Sequence, residues 1–571
     1  MPSDRPAMQL VAAIMLFMTG LMGPGAAAQP PAPGADLILH GSTFHTVDPA
    51  RPTAEAVAVR AGRIIYVGDV AGAMRLREPK TRLLDLAGAT VVPGLIDAHG
   101  HISGLGFALS RLDLVGSSSE DEVASMVRGK ASTLAPGQWV TGRGWDQNDW
   151  EVKAFPSARS LDRASPANPV SLVRVDGHAI WVNSAAMKLA GVTRATADPP
   201  GGQIVRDAEE EPTGVFVDNA KALIESKIAA PGRAELRGAI ESAMRRCLKA
   251  GLVGVHDAGV SAEEIGIYRD LLVKEAFPFR IHAMLDNSPA LLEEYFARGP
   301  ESGLGDGRLN IRAVKLYSDG ALGSRGAALL APYEDDAGNT GLLVTEPEAV
   351  RDVAIRAARA GFQPCIHAIG DRGNRVSLDA LEAAVRASGR SDVRARVEHA
   401  QVLALEDIPR FAAGGIIASM QPTHATSDMY WAEARVGPQR IRGAYAWRRL
   451  FESKARLACG SDFPVESENP LLGFYAAVTR QDAKGWPAGG WAPGQRMTRQ
   501  EALSCFTLDA AYASFEEDSR GSIVVGKRAD LTVLSSDILR VPAREILAAR
   551  VLMTIVGGDV AWNSREAREP R

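Results

Sequence analysis

Through the middle of the chain, short apolar runs alternate with longer stretches whose apolar residues recur every three or four positions. The first pattern predicts buried strands; the second predicts amphipathic helices, as at 233–250, 347–360 and 380–387. Eight strand-like runs stand out. They are VVPGLIDAHGH near 91–101, LVGVHDAG near 252–259, PFRIHAML near 278–285 and IRAVKLYSDG near 311–320, followed by FQPCIHAIG near 362–370, VRARVEHAQ near 393–401, GIIASMQP near 415–422 and LACGSDFP near 457–464. This alternation implies βα units on a parallel sheet, and eight such units close naturally into an α/β fold, the (β/α)₈ TIM barrel, over residues 93–519. About 125 residues, roughly 108–235, separate the first run from the second, far more than a βα loop needs. That insertion is either a cap on the barrel or a small domain of its own.

The two ends of the chain read differently. Residues 35–92 hold short strands punctuated by turn residues (ADLILHG, EAVAVRAGRIIYVG, RLLDLAGATVVPG), and the texture returns in GSIVVGKRADLTVLSS and VLMTIVGGDVAW. We expect 35–92 and 520–571 to build one composite β-sandwich domain. Ahead of it, an apolar run from about Leu10 to Met22 precedes Gly25-Ala26-Ala27-Ala28-Gln29. The run is short for a membrane span and ends in small residues, so 1–28 reads as a signal peptide cleaved after Ala28, with 29–34 a proline-rich linker. A retained anchor is the alternative. The expected location is exported, periplasmic or secreted, without stable membrane association after cleavage.

Composition narrows the class. The 571 residues carry 64 Lys+Arg against 68 Asp+Glu, a net charge of −4, and 46% are hydrophobic. These values fit a globular, multi-domain protein and exclude disorder and a multi-span membrane protein; balanced charge leaves no footprint for nucleic acid. The partner expected is a small-molecule substrate, with a homodimer left open. Cys247, Cys365, Cys459 and Cys505 are far apart with no CxxC pair, so neither a disulfide framework nor a thiolate zinc site is indicated. Cys365 and Cys459 lie in apolar runs and read as inert core thiols.

Candidate chemistry gathers where strands stop. His99-Gly-His101 has a spacing of two, so both imidazoles point to one side of an extended segment and can share a metal ion. Two buried, hydrogen-bonded histidines would look the same. However, Lys315, His367, His399 and Asp462 fall at the ends of the fourth, fifth, sixth and eighth runs, which converge on one rim in a barrel. Lys315 reads alternatively as a buried ion pair and Asp462 as a helix N-cap. His256-Asp257 is either a pair orienting a ligand or a structural pair, and His282 reads as structural. In the insertion, Trp139, Trp145, Trp150 and Trp181 surround Asp146, Asp176 and His178. They suit a pocket wall for an apolar or aromatic amide, or equally the insertion's own core. Arg325 suits an anionic substrate group or a loop salt bridge, and His424 sits in a loop at the same rim. The substrate-binding candidates are therefore Trp145, Asp146, Asp176, His178, Arg325 and His424.

Together VPGLIDAHGH, VKLYSDGALGSR, CIHAIGD, RVEHAQ and GSDFP resemble the amidohydrolase superfamily, in particular its family-3, YtcJ-like branch. GWDQNDW, DGHAIWVNSAA and GGQIVRD…EPTG resemble that branch's insertion. The resemblance runs from about residue 35 onward and implies a metal-dependent hydrolase of C–N bonds in non-peptide, amide-like substrates. Carried over, His99, His101 and Asp462 would hold one metal, and His367 and His399 a second. Lys315 would bridge them as a carbamate, since a free ammonium cannot ligate a cation. Mixed nitrogen and oxygen ligation suits zinc, one ion or two. Asp462 would act as general base on a metal-activated water, with His399 the second catalytic candidate. The alternatives are ester, lactone or phosphoester hydrolysis on the same barrel and, more remotely, a non-catalytic binding protein.

Overall fold

The computed structural model describes residues 34–274 and 277–564. The expected signal peptide and nearly all of the linker lie outside the described residues.

Eight parallel strands follow one another around a single interior: β1 (Leu95–Gly100), β2 (Leu252–Val260), β3 (Arg280–Leu285), β4 (Leu309–Tyr317), β5 (Gln363–Ala368), β6 (Arg396–His399), β7 (Ile417–Met420) and β8 (Leu457–Cys459). Each pairs with the next in parallel register, so this is the expected TIM barrel. β1, β3 and β5 are buried at every position, as strands covered on both faces must be. The helix Arg233–Lys249 buries Leu236, Ile240, Ala243, Met244 and Cys247 on one stripe, and Pro347–Arg359 buries Val350, Ala354, Ala357 and Ala358.

The ring nearly closes where the segment after β8 meets the end of β1. Asp462 N donates to the His99 carbonyl at 2.7 Å, and His101 N donates to the Phe463 carbonyl at 2.8 Å. Gly460 permits the approach, since a Cβ there would lie 2.5 Å from His99 N and 2.6 Å from Asp97 Oδ1. Asp97 clasps the seam. It accepts from His99 N at 3.1 Å, Ser461 N at 3.0 Å and Ser461 Oγ at 2.6 Å.

Both chain ends do enter one sheet. It contains Ala35–His45, Thr53–Arg60, Arg63–Gly68, Arg77–Asp85 and Thr90–Pro93 with Leu531–Leu534, Val551–Val556 and Asp559–Asn563. In place of the expected sandwich, hydrogen bonding joins all eight strands into a single sheet. Ala35–His45 pairs first with Arg77–Asp85 and then, at its end, with Thr90–Pro93, which in turn pairs with Leu531–Leu534. Leu39, Phe44, Val57, Val91, Leu531 and Ile555, from strands of both chain ends, share one buried cluster.

The insertion proves to be a layer and a cap at once. Its sheet runs in the order Gly202–Arg206, Pro212–Asp218, Ala179–Val182, Val170–Arg174, Val140–Trp145 and Leu112–Asp113. The bend at 174–179 reaches over the barrel mouth. Arg435 Nη2 holds Asn148 Oδ1 at 2.9 Å, and Asn219 Nδ2 holds the Val344 carbonyl at 3.1 Å.

One expectation is corrected outright. Cys459 and Cys505 form a disulfide, linking the end of β8 to the helix Arg499–Cys505, while Cys247 and Cys365 are the buried free thiols. A separation of 46 residues hides this pair from spacing rules; the packing of that helix on the barrel creates it.

Candidate metal centre

A cavity of about 720 Å³ opens at the carboxyl ends of the strands. His101, Lys315, His367, His399, His424 and Asp462 line it from the barrel, and Arg143, Asp146, Arg174, Asp176 and His178 from the insertion. That is the face on which a TIM barrel places its chemistry.

His99 is fully buried. Its Nδ1 donates to Glu398 Oε2 at 2.5 Å, leaving Nε2 as the lone-pair nitrogen, 3.6 Å from Asp462 Oδ1. His399 Nδ1 donates to Gln421 Oε1 at 2.9 Å, which likewise frees its Nε2. His101 faces acceptors on both sides: the Ala258 carbonyl 2.8 Å from Nδ1 and Asp462 Oδ1 3.0 Å from Nε2. With Nδ1 donating to the carbonyl, the neutral ring leaves Nε2 as a lone pair beside the carboxylate, an arrangement able to hold a cation. The ligand atoms of His99, His101 and Asp462 all lie within 4.8 Å of one another. This donor set fits a divalent metal of zinc type.

A second convergence joins His399, His424 and Asp462 within the same 4.8 Å limit. This differs from the expected pairing of His399 with His367. The His367 ring sits 4.6 Å from the His399 ring, centroid to centroid, and its Nε2 faces the Gly320 carbonyl at 3.5 Å. Nδ1 is thereby left as the nitrogen able to ligate. His424 Nε2 is buried without a hydrogen-bond partner, 3.8 Å from Asp462 Oδ2. Lys315 Nζ lies 3.3 Å from His99 Nε2 and makes none of the ion pairs found among the described residues. An ammonium there occupies the lone pair that a metal would use.

Electrostatics keep the ligands in their binding forms. Burial, with the Lys315 charge, lowers the His99 pKa to about 4; burial also holds His367 and His399 well below the ordinary value, so these imidazoles are neutral. Burial alone would raise Asp462, but the His101 hydrogen bond and the surrounding imidazoles outweigh it and hold the carboxyl well below its usual range. Burial lowers Lys315 too, which favours the free amine, the form that combines with carbon dioxide. The backbone at His399 and Asp462 is left-handed, with φ of 73° and 62°. Such strain costs about 1–3 kcal/mol per residue and gathers where function over-determines the backbone.

The substrate-binding candidates divide. Asp146, Asp176, His178 and His424 line the cavity. Arg174, itself fully buried, ties Asp146 and Asp176 together, and His178 Nδ1 donates to Asp218 Oδ1 at 2.6 Å. Trp145 does not line the cavity. Its indole donates to the Leu172 carbonyl at 2.8 Å and packs 6.0 Å from Trp181 and 6.2 Å from Trp150, inside the insertion's own core. The register shift between Arg143 and Trp145 breaks the alternation of Val140–Trp145, so Arg143 faces the cavity while Trp145 turns into the core. Arg325 is also absent from the lining: its Nη2 pairs with Asp335 at 3.0 Å, the loop salt bridge. His256 and Asp257 are not a pair. His256 Nδ1 meets Arg396 Nη1 at 2.9 Å, whereas Asp257 accepts from Ile102 N and the Tyr268 hydroxyl.

Glu398, Arg396, Asp97 and Gln421 went unread in the sequence. A signal was present: Arg396 and Glu398 alternate within an apolar strand, which aims two opposite charges into the barrel beside His399. Arg396 Nη2 donates to Glu398 Oε2 at 3.0 Å, Ser419 Oγ at 2.8 Å and the Ala98 carbonyl at 2.6 Å.

A TIM barrel with a histidine–aspartate centre at its mouth defines a class of metal-dependent hydrolases, and the comparisons agree. The chain belongs to the amidohydrolase family, whose model matches residues 82–561. It is 35% identical to Protein LONG AFTER FAR-RED 3 of Arabidopsis thaliana (92% of this chain, 91% of that one) and 33% identical to the YtcJ protein of Bacillus subtilis strain 168 (92% and 99%). It is 31% identical to the N-substituted formamide deformylase of Arthrobacter pascens (92% and 97%). Among solved structures, a metal-dependent hydrolase of Pyrococcus horikoshii OT3 superposes with a TM-score of 0.72 at 27% identity, covering 89% of this chain and 99% of that one.

Proposed function

We propose that the protein hydrolyses C–N bonds of non-peptide amides, with N-substituted formamides the first class to test, using zinc held by His99, His101 and Asp462. The observation that carries this reading is the convergence of two lone-pair imidazole nitrogens and one low-pKa carboxylate at the mouth of the barrel. A divalent cation there supplies Lewis acidity to a water and to the scissile carbonyl. Asp462, already ionised, takes the proton from that water and hands it to the departing amine. His399, fixed by Gln421, faces the same centre and takes part beside it, and Asp146, Asp176 and His178 shape the wall the substrate meets. A second ion would be held by His367 and His399, and Lys315, once combined with carbon dioxide as its carbamate, would add oxygen ligands to the same centre. The formamide class rests on the deformylase relative, whose match spans nearly the whole chain. Export through the N-terminal segment is part of the same proposal. The Cys459–Cys505 disulfide supports it, because such bonds persist in oxidising compartments.

The test is turnover of an N-formyl amine by protein purified without chelator. Activity should disappear on chelation, return with zinc, and fall about 10²- to 10⁴-fold in Asp462→Asn. A folded, metal-free, inactive wild type overturns the proposal; turnover of lactones or phosphotriesters in place of amides replaces the C–N assignment.

A further inference from the structure

We infer that Arg143 is a recognition residue for a carboxylate on the substrate, so that the cavity favours amides carrying an acidic group beyond the scissile bond. The inference rests on the hydrolase reading above and narrows its substrate class.

Arg143 lies on Val140–Trp145 and lines the same cavity as the histidine–aspartate centre. A guanidinium carries five N–H donors in a planar fork. Here only Nη2 has a partner, the Val175 carbonyl at 2.8 Å, and Nε is buried with none. No carboxylate pairs with it among the described residues, unlike Arg174, Arg325 and Arg435. Arg174 is held by Asp146 and Asp176, Arg435 and Arg325 by Asp335.

The nearby carboxylates are already committed. Asp176 accepts from Arg174 and from His178 N at 2.9 Å; Asp462 Oδ1 lies 3.0 Å from His101 Nε2 in the ligand cluster. Burial lowers the Arg143 pKa, with Asp462 and Asp176 the charges that oppose the shift. Even so, an arginine does not lose its proton in a protein. An enclosed cation with most of its donors unused is costly unless something in the cavity completes it.

Gly177 keeps the fork uncovered. Its backbone has φ of +77°, and a Cβ there would sit 3.4 Å from Arg143 Nη1 and 3.5 Å from Nη2, over the guanidinium. A planar monoanion matches the fork in two parallel hydrogen bonds. A phosphate dianion suits the place less well, because the Asp176 and Asp462 charges face the same space. Lys221 lines the same cavity, its Nζ donating one hydrogen bond to the Gly177 carbonyl, but it has no planar fork to match a carboxylate.

The experiment compares two near-isosteric substrates, N-formylphenylalanine and N-(2-phenylethyl)formamide, which lacks the carboxylate, on the zinc-loaded full chain. Wild type should favour the acid in kcat/KM. Arg143→Gln should cut that preference about tenfold or more, chiefly through KM for the acid. Arg143→Lys keeps the charge without the fork and should fall between; it also carries the comparison if the glutamine variant does not fold. In parallel, calorimetric binding of 3-phenylpropanoate should weaken by a similar factor in the variant. Hydrolysis of both formamides with a preference that Arg143→Gln leaves unchanged overturns this inference and keeps the hydrolase reading. Arg143-dependent binding of 3-phenylpropanoate without turnover of either formamide keeps this inference and sinks the formamide assignment. Binding that ignores Arg143 overturns the inference whatever the turnover.

Discussion

Each imidazole at the cavity floor has its direction set by a partner one step behind it. Glu398 turns His99, the Ala258 carbonyl turns His101 and Gln421 turns His399, and in each case Nδ1 is the anchored nitrogen. Glu398 is itself buried. Burial would raise its pKa, but the Arg396 and His99 contacts outweigh that and keep it ionised. Charges so placed serve orientation more than stability, because desolvation consumes most of their attraction. Asp257 behaves in the opposite way. Burial, reinforced by the Glu264 charge, pushes its carboxyl up to about 7, and it accepts from Ile102 N at 2.9 Å and the Tyr268 hydroxyl at 2.6 Å. Between about pH 4 and 7 the folded protein therefore holds a proton that the unfolded chain has released. The stability this contributes is present at acidic pH and is lost as pH rises through 7, at no more than about 1.4 kcal/mol per unit. Asp257→Asn mimics the protonated form. Its thermal midpoint should fall less than that of wild type between about pH 5 and 8, and an identical slope in the two proteins refutes the assignment.

Among the elements, the seam between β1 and β8 matters most to the site. His99, His101 and Asp462 belong to segments 361 residues apart that touch through two backbone hydrogen bonds, the Asp97 clasp and the bare Cα of Gly460. A methyl group on Gly460 has to push the His99 amide away, and overpacking of this kind costs about 1–3 kcal/mol. Gly460→Ala should therefore lower the thermal midpoint and weaken zinc binding together, read by melting curves and chelator competition. Loss of stability with zinc affinity intact would show that the seam does not set the ligand geometry.

For the molecule as a whole, one covalent link bears on the same region. The Cys459–Cys505 bond joins the last residue of β8 to the end of a barrel helix and closes a 46-residue loop. By the chain-entropy account such a loop contributes about 4 kcal/mol. Melting in the presence of a thiol reductant, or of Cys505→Ser, should show a drop of several degrees. An unchanged midpoint would mean that packing alone holds this helix. The insertion couples to the barrel in another way, by carrying part of the cavity wall. Deleting it would open the mouth and remove Arg143, Arg174 and His178 at one stroke.

What the sequence determined by itself was periodic and local. Eight apolar runs and the amphipathic stretches between them are dictated by burial on both faces of a parallel sheet, and the ligand-type residues at their ends were legible for that reason. His424 could also be found at that rim, and Asp146, Asp176 and His178 among the tryptophans of the insertion. Tertiary structure alone decided the rest, because those contacts join residues remote in sequence. Whether Trp145 faced a substrate or a core depended on which side of its strand the insertion packed. Arg325 found Asp335 rather than the cavity, His424 came closer to Asp462 than spacing foretold, and Cys459 met Cys505 only once the helix docked. Periodicity encodes which face of an element is buried; it holds no record of which distant side chain will be waiting there.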